Sequence, residues 1–164
     1  MDDRFHVSAK AVIVHEGKIL LIKYDEGKGP DCDPHYNLPG GKMRANETAE
    51  ETLIRKVKGE SGGTVDSVGR LAFIYEYIGS NHEFIAGDKH SVSLIFYATL
   101  KDYTEPSMET CTDPDVETPQ IDVCWIPIEN LDDIILWPRI NQRLKQACKD
   151  LENEKENLYW GDIL

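Results

Sequence analysis

Residues 38–63 read LPGGKMRANETAEETLIRKVKGESGG, a glycine turn, a loop and a helix that starts acidic. Asn46 can cap the first turn by accepting from a free backbone N–H, and Glu47, Glu50 and Glu51 then face the positive end of the helix dipole. The pattern predicts a helix beginning near residue 47. Ala49, Leu53 and Val57 recur at four-residue spacing with Ile54 beside them, which gives one buried stripe. Glu47, Glu51 and Arg55 are then expected on one exposed face, and Thr52, Lys56, Gly59 and Glu60 on another. Two ion pairs follow from this spacing: Glu47 with Arg55, holding loop to helix, and Lys56 with Glu60 one turn on. Gly62 or Gly63 supplies the left-handed residue that ends the helix.

The rest of the chain reads as strands and one more helix around that segment. Residues 7–14 and 19–24 are β-rich and joined by His15-Glu16-Gly17-Lys18, which predicts a hairpin. Residues 36–42 deliver a short strand into the glycine turn, and 68–78, 91–100 and 120–126 carry the β-branched and aromatic residues of further strands. Ile140, Leu144, Ala147 and Leu151 mark an amphipathic helix after Trp137-Pro138. A single domain over 1–152 is expected, with a tail over 153–164 whose apolar end docks on the domain or joins an interface, so a homodimer is one expectation.

Charge limits the partners. A formal net charge of −12 argues against nucleic-acid polymers and anionic membrane surfaces, which need a basic footprint. Small nucleotides need only a local cluster of cations. Lys42, Arg44, Arg55, Lys56 and Lys58 provide one. Cys32, Cys111, Cys124 and Cys148 have no zinc-ligand spacing and read as free thiols. No secretory leader or membrane span is recognisable, and the expected location is cytoplasmic.

The 38–63 stretch resembles the box of the Nudix hydrolases, G-x5-E-x7-R-E-U-x-E-E-x-G-U with U aliphatic. Gly41, Glu47, Arg55, Val57, Glu60 and Gly62 fall in register. Lys56 stands where the family has a glutamate, Gly59 where it has the first of two paired glutamates, and Gly63 at the closing aliphatic position. The run from Trp125 to Leu131 also resembles the strand and short helix near the end of many such domains. The resemblance implies an α/β fold, a Nudix-type α/β/α sandwich with a mixed, mostly antiparallel sheet between helices. It also implies cleavage of the diphosphate bond in a nucleoside diphosphate derivative, either a nucleotide sugar such as ADP-ribose or a nucleoside triphosphate.

Residue roles follow from the same resemblance. Gly41, Glu47, Arg55 and Gly62 are structural; Glu60 and the carbonyl of Gly40 are candidate ligands for Mg²⁺ or Mn²⁺; Glu60 is also a candidate catalytic group. Glu117, in the acidic stretch with Asp113 and Asp115, is the candidate for an additional catalytic acid. Lys42, Arg44 and Lys56 are candidate phosphate contacts. With one box carboxylate left, metal is expected to bind weakly without nucleotide, and Lys56→Glu with Gly59→Glu is expected to raise metal-dependent hydrolysis. The alternative is a nucleotide-binding or regulatory module whose catalytic power is impaired. His82, Glu83, Asp88 and His90, in the segment 79–90, either border the pocket or belong to a solvated hairpin end, while Tyr75 and Tyr77 either stack a base or belong to the core.

Overall fold

The computed structural model describes residues 5–25, 33–81, 90–114 and 119–151, and the backbone of 159–162. The elements in chain order are β1 (Phe5–Val12), β2 (Val14–His15), β3 (Lys18–Tyr24), β4 (His35–Asn37), β5 (Gly40–Lys42), α1 (Ala49–Ser61), β6 (Val65–Ile78), β7 (His90–Leu100), β8 (Gln120–Pro127), α2 (Asn141–Lys149) and β9 (Tyr159–Asp162).

The strands divide into two sheets. One runs β5-β1-β7-β6-β9, with β1/β7 and β6/β9 parallel and the other pairs antiparallel. The other is antiparallel, with β8 along one edge of β3 and β2 then β4 along the other. Strand alternation divides the buried residues between two cores. Ala9, Ala11, Ile13, Leu20 and Ile22 pack with Leu53 and Val57 of α1. Val12, Ile19 and Leu21 pack with Ile140, Leu144 and Ala147 around α2. Each helix therefore has its own core on a different strand face, the α/β/α arrangement.

Several local expectations need correcting. The runs 7–14 and 19–24 are strands, but β1 and β3 lie in different sheets. The hairpin is confined to Val14–His15 against Lys18–Ile19, turning on Glu16 (φ 47°) and Gly17 (φ 73°). Both residues are left-handed, as a two-residue turn with the twist of its strands demands. Helix α1 starts later than expected, at Ala49, and its cap is Thr48. Thr48 Oγ1 accepts from the Glu51 N–H (3.1 Å) while the Glu51 carboxylate accepts from the Thr48 N–H (2.8 Å). This reciprocal box needs an acid three residues on, which Thr48 has and Asn46 lacks. Asn46 instead takes φ 65° in the loop.

The buried face of α1 is also rotated from the expected one. Leu53 and Val57 are fully buried, Ala49 is half-buried, and Ile54 is 45% exposed. The face expected to be free is covered: Thr52, Gly59 and Glu60 are buried. At the other end Leu151 is 42% exposed and lies beyond α2, so that helix buries Ile140, Leu144 and Ala147 alone of the expected stripe. Tyr97 Oη donates to the Ala147 carbonyl (2.7 Å) and Arg70 Nη2 to the Asp150 carbonyl (2.7 Å), satisfying the last turn of α2 from the sheet. The backbone of β9 pairs parallel with β6, Tyr159 opposite Ile74.

Candidate active site

The glycine turn switches the chain from one sheet to the other. β4 pairs with β3 and β5 with β1, so Leu38-Pro39 crosses between the sheets, and the Ala11 N–H donates to the Pro39 carbonyl (2.9 Å). Gly40 has φ 138°, and a Cβ there would fall 2.3 Å from the Ala9 carbonyl oxygen. No side chain fits that contact. This close approach leaves the Gly40 N–H facing α1, where it donates to Glu60 Oε2 (2.9 Å).

Glu60 is the most enclosed charge of the site. Its side chain is 1% exposed, and Oε1 lies 2.7 Å from Lys56 Nζ, the pair expected from the spacing. Gln120 Nε2 (2.7 Å) and Cys111 Sγ (2.8 Å) donate to its backbone carbonyl. Burial pushes the Glu60 carboxyl pKa upward against the opposing pull of Lys56 and the Gly40 N–H. Lys56 is itself held in place: its side chain is 16% exposed, and a Cβ on Gly41 would come within 2.7 Å of its Cε. Gly41 thus leaves the channel through which the lysine stem runs.

Glu47 and Arg55 form the expected loop-to-helix pair. Arg55 Nε and Nη2 donate to the two Glu47 carboxylate oxygens (2.6 and 2.8 Å), and Nη2 also reaches the Lys42 carbonyl (3.2 Å). Glu47 additionally accepts from the Arg44 N–H (2.9 Å) and from Thr52 Oγ1 (2.8 Å). The Arg55 hydrogen bonds hold the Glu47 carboxyl far below the usual range, and the arginine is stabilised reciprocally. Because α1 starts at Ala49, Glu47 belongs to the loop and acts as its tie rather than as a dipole partner of the helix. Gly62 ends α1 with φ 74° and sits against the Thr110 carbonyl, where a Cβ would be 2.5 Å away.

A cavity of about 600 Å³ opens beside the glycine turn. Its cations are Lys10, Lys42, Arg44, Arg55 and Lys56, and no carboxylate is among the described residues lining it. The candidates Lys42, Arg44 and Lys56 are thereby brought together. The opposite wall is sheet: Tyr75 and Tyr77 of β6, Ser91 and Ser93 of β7, and His6 and Ser8 of β1, with Trp137-Pro138 at one side. Tyr75 is buried, its hydroxyl engaged by Ser93 and pushed up to about 12 by burial. Tyr75 belongs to the core, one of the two expectations for it, and Tyr77 two residues on lines the same wall. Lys10 was not foreseen, although His6, Ser8 and Lys10 alternate with the apolar Val7, Ala9 and Ala11. That period-two run of polar residues in a strand is the signal that marks the face lining a pocket.

Other candidates fall elsewhere. Glu117 and Asp115 lie outside the described residues, as do His82, Glu83 and Asp88. His90 sits at the start of β7, 3.8 Å from Glu76 and edge-on to Phe5. Asp113 packs on Gly59: its N–H donates to the Gly59 carbonyl (3.0 Å), and a Cβ on Gly59 would lie 3.1 Å from the Asp113 Cβ. A glutamate at 59 therefore requires that segment to shift, which Lys56→Glu alone does not.

A chain-wide comparison decides the ancestry: the family model described as NUDIX domain matches residues 4–148. The chain belongs to the Nudix family. An ADP-ribose pyrophosphatase of Methanocaldococcus jannaschii is 35% identical to this Nudix chain over 69 residues, 42% of the chain and 38% of that protein. The chain thus spans well under half the length of that curated relative. A NUDIX hydrolase from Nitrosomonas europaea superposes with a TM-score of 0.68 at 17% identity, covering 90% of both chains. A MutT protein from Methanosarcina mazei Go1 gives 0.66 at 18% identity, covering 93% and 99%. At such identities the structural likeness establishes the fold.

Nudix hydrolases generally use divalent metal, and the described residues do not by themselves build a centre for it. Among the described residues no three His, Cys, Asp or Glu side chains cluster. Among the described residues Glu60 is the one carboxylate at the turn, and both its oxygens are engaged, one by Lys56 and one by the Gly40 N–H. Mg²⁺ and Mn²⁺ favour several oxygen ligands, and an ammonium within 3 Å of the remaining one repels them.

Proposed function

We propose that this Nudix chain is a hydrolase of the diphosphate bond in a nucleoside diphosphate derivative, bound in the cavity beside the glycine turn. The observation that supports this reading is the cavity's lining: five cations, two of them backed by Glu47 and Glu60, and no carboxylate among the described lining residues, in a chain of net charge −12. A diphosphate is the small ligand that such a wall matches, because it concentrates negative charge over a few ångströms. Lys42, Arg44 and Lys56 are the proposed phosphate contacts, joined by Lys10. The tyrosine and serine wall faces the organic part, where an aromatic ring and hydroxyls supply stacking and hydrogen bonds to a base or sugar. ADP-ribose is the first substrate to test, given the named activity of the Methanocaldococcus jannaschii relative. Nucleoside triphosphates are the second class.

A second reading, a nucleotide-binding module with little turnover, is favoured by the Lys56–Glu60 pair, which occupies the one box carboxylate. A hydrolysis screen over nucleotide sugars and nucleoside triphosphates, run with Mg²⁺, with Mn²⁺ and with EDTA, separates the two. Release of nucleoside monophosphate, phosphate or pyrophosphate at a rate proportional to protein supports the hydrolase. Saturable binding without product in any arm supports the module.

A further inference from the structure

The engaged state of Glu60 raises the question of what balances a diphosphate in this cavity. We propose that the Lys56 ammonium, seated on the buried Glu60 carboxylate, is the resident cation of the phosphate subsite, so that a diphosphate binds without a divalent ion. The inference rests on the reading of the cavity as a diphosphate site and adds what supplies its charge.

Three observations carry it. Lys56 lines the cavity while its Nζ stays 2.7 Å from Glu60 Oε1, so the charge is fixed at the wall rather than swinging in solvent. Its stem is confined by the space that Gly41 leaves, 2.7 Å from an imagined Cβ to Cε. Glu60 is anchored from the other side by the Gly40 N–H (2.9 Å), so ammonium and carboxylate form a preset unit at the cavity wall. An ammonium carries three N–H donors, and one is spent on Glu60. The others can meet phosphate oxygens at no cost in reorganisation. Gly59 adds a constraint: Asp113 packs on it, a Cβ there lying 3.1 Å from the Asp113 Cβ, so a carboxylate at 59 that would draw Lys56 away or hold a metal requires that segment to give way. The two departures from the family box are then one arrangement.

The roles of Glu60 differ in sign between this account and a metal site, and that difference is the test. α,β-Methylene-ADP, whose bridge is not cleaved, is titrated calorimetrically into the wild type, Lys56→Met, Lys56→Arg, Glu60→Gln and the double variant Lys56→Met/Glu60→Gln. Each titration is run in EDTA and in excess Mg²⁺. The wild type is expected to bind in EDTA, with Mg²⁺ changing Kd by less than about threefold, within about 0.7 kcal/mol. Lys56→Met is expected to lose about tenfold, and Lys56→Arg to keep most of the affinity. Glu60→Gln, which frees the ammonium from its counter-charge, is expected to bind more tightly in EDTA. Lys56→Met leaves Glu60 buried without a counter-ion, so the double variant, which removes both charges, serves if the single variant does not fold. It is expected to show the same loss. Binding that appears only with Mg²⁺ and disappears in Glu60→Gln would overturn the inference while leaving the cavity as the diphosphate site, and so would a double variant that binds like wild type. Failure of the folded wild type to bind in either condition would overturn the reading of the cavity itself.

Discussion

At the scale of single residues, the site depends on a few contacts that one substitution removes. Arg55→Ala deprives Glu47 of both its guanidinium hydrogen bonds, and the loop carrying Lys42 and Arg44 keeps only the Thr52 hydroxyl as Glu47's tie to α1. A lower melting temperature at pH 7 is the expected result, read by thermal unfolding across pH. The sign is fixed by the direction of the shift: the folded Glu47 pKa lies below its ordinary 4.5, so the contribution is complete above that value and fades as pH falls toward the folded pKa. The wild-type advantage over Arg55→Ala should therefore shrink as pH drops below about 4.5. A constant difference down to pH 2 would contradict the pairing. Glu60 has the opposite sign, since burial raises its pKa and its ionisation opposes folding as pH rises. Gly40 and Gly17 make a second contrast. A Cβ at Gly40 would meet the Ala9 oxygen at 2.3 Å, whereas at Gly17 nothing lies within 4 Å, although φ is 73°. Gly40→Ala is expected to cost well over ~2 kcal/mol and Gly17→Ala about 1 kcal/mol, in denaturant titrations. Equal costs would mean that strained dihedrals alone, and not the crossing of the two sheets, set the price at Gly40.

At the scale of elements, the start of α1 is the sharpest distinction. Thr48→Ala removes the acceptor for the Glu51 N–H and is expected to cost about 1 kcal/mol, while Asn46→Gly, at φ 65°, should be neutral or slightly stabilising. If Asn46 were the cap, the order would reverse. The sequence carries both signals, and the capping box decides for Thr48 because Glu51 lies three residues beyond it. The strands were legible from composition and period, including 91–100 as β7 and 120–126 as β8, because each is long and rich in β-branched or aromatic residues. Partners were less legible. Val7 to Val14 and Ile19 to Tyr24 look like one hairpin, yet alternation alone does not report the change of sheet at Ile13, whose side chain joins the α1 core while its carbonyl accepts from the Leu20 N–H (3.0 Å). The polar face of α1 was misplaced for a related reason. Thr52 and Glu60 are buried by Glu47 and the Gly40 N–H, contacts made by a loop and a turn that helix periodicity does not see.

At the scale of the whole molecule, the acidic chain brings five of its cations around a concavity between the glycine turn and the polar face of the β1, β7 and β6 sheet. Of the expected cluster, Lys42, Arg44, Arg55 and Lys56 reach it from fifteen residues of sequence, 42–56, whereas Lys58 does not, its Nζ donating instead to the Gly62 carbonyl (2.9 Å) at the end of α1. Lys10, Tyr75, Ser91 and Ser93 reach the same cavity through strand pairing, Ser8 opposite Lys42 and Tyr75 opposite Ser93, which sequence distance conceals. A second basic surface, Arg139 and Arg143 with Asn141, Gln142 and Gln146, lies on α2 and offers a competing site for an anion. The most direct test of where a nucleotide binds is a backbone amide NMR titration with α,β-methylene-ADP in EDTA. The largest shifts are expected at Gly40, Gly41, Lys42 and Arg44, with smaller ones at Lys10 and Ser93 and none at Arg143. Shifts confined to the α2 surface, with the glycine-turn amides unmoved, would contradict binding at the turn.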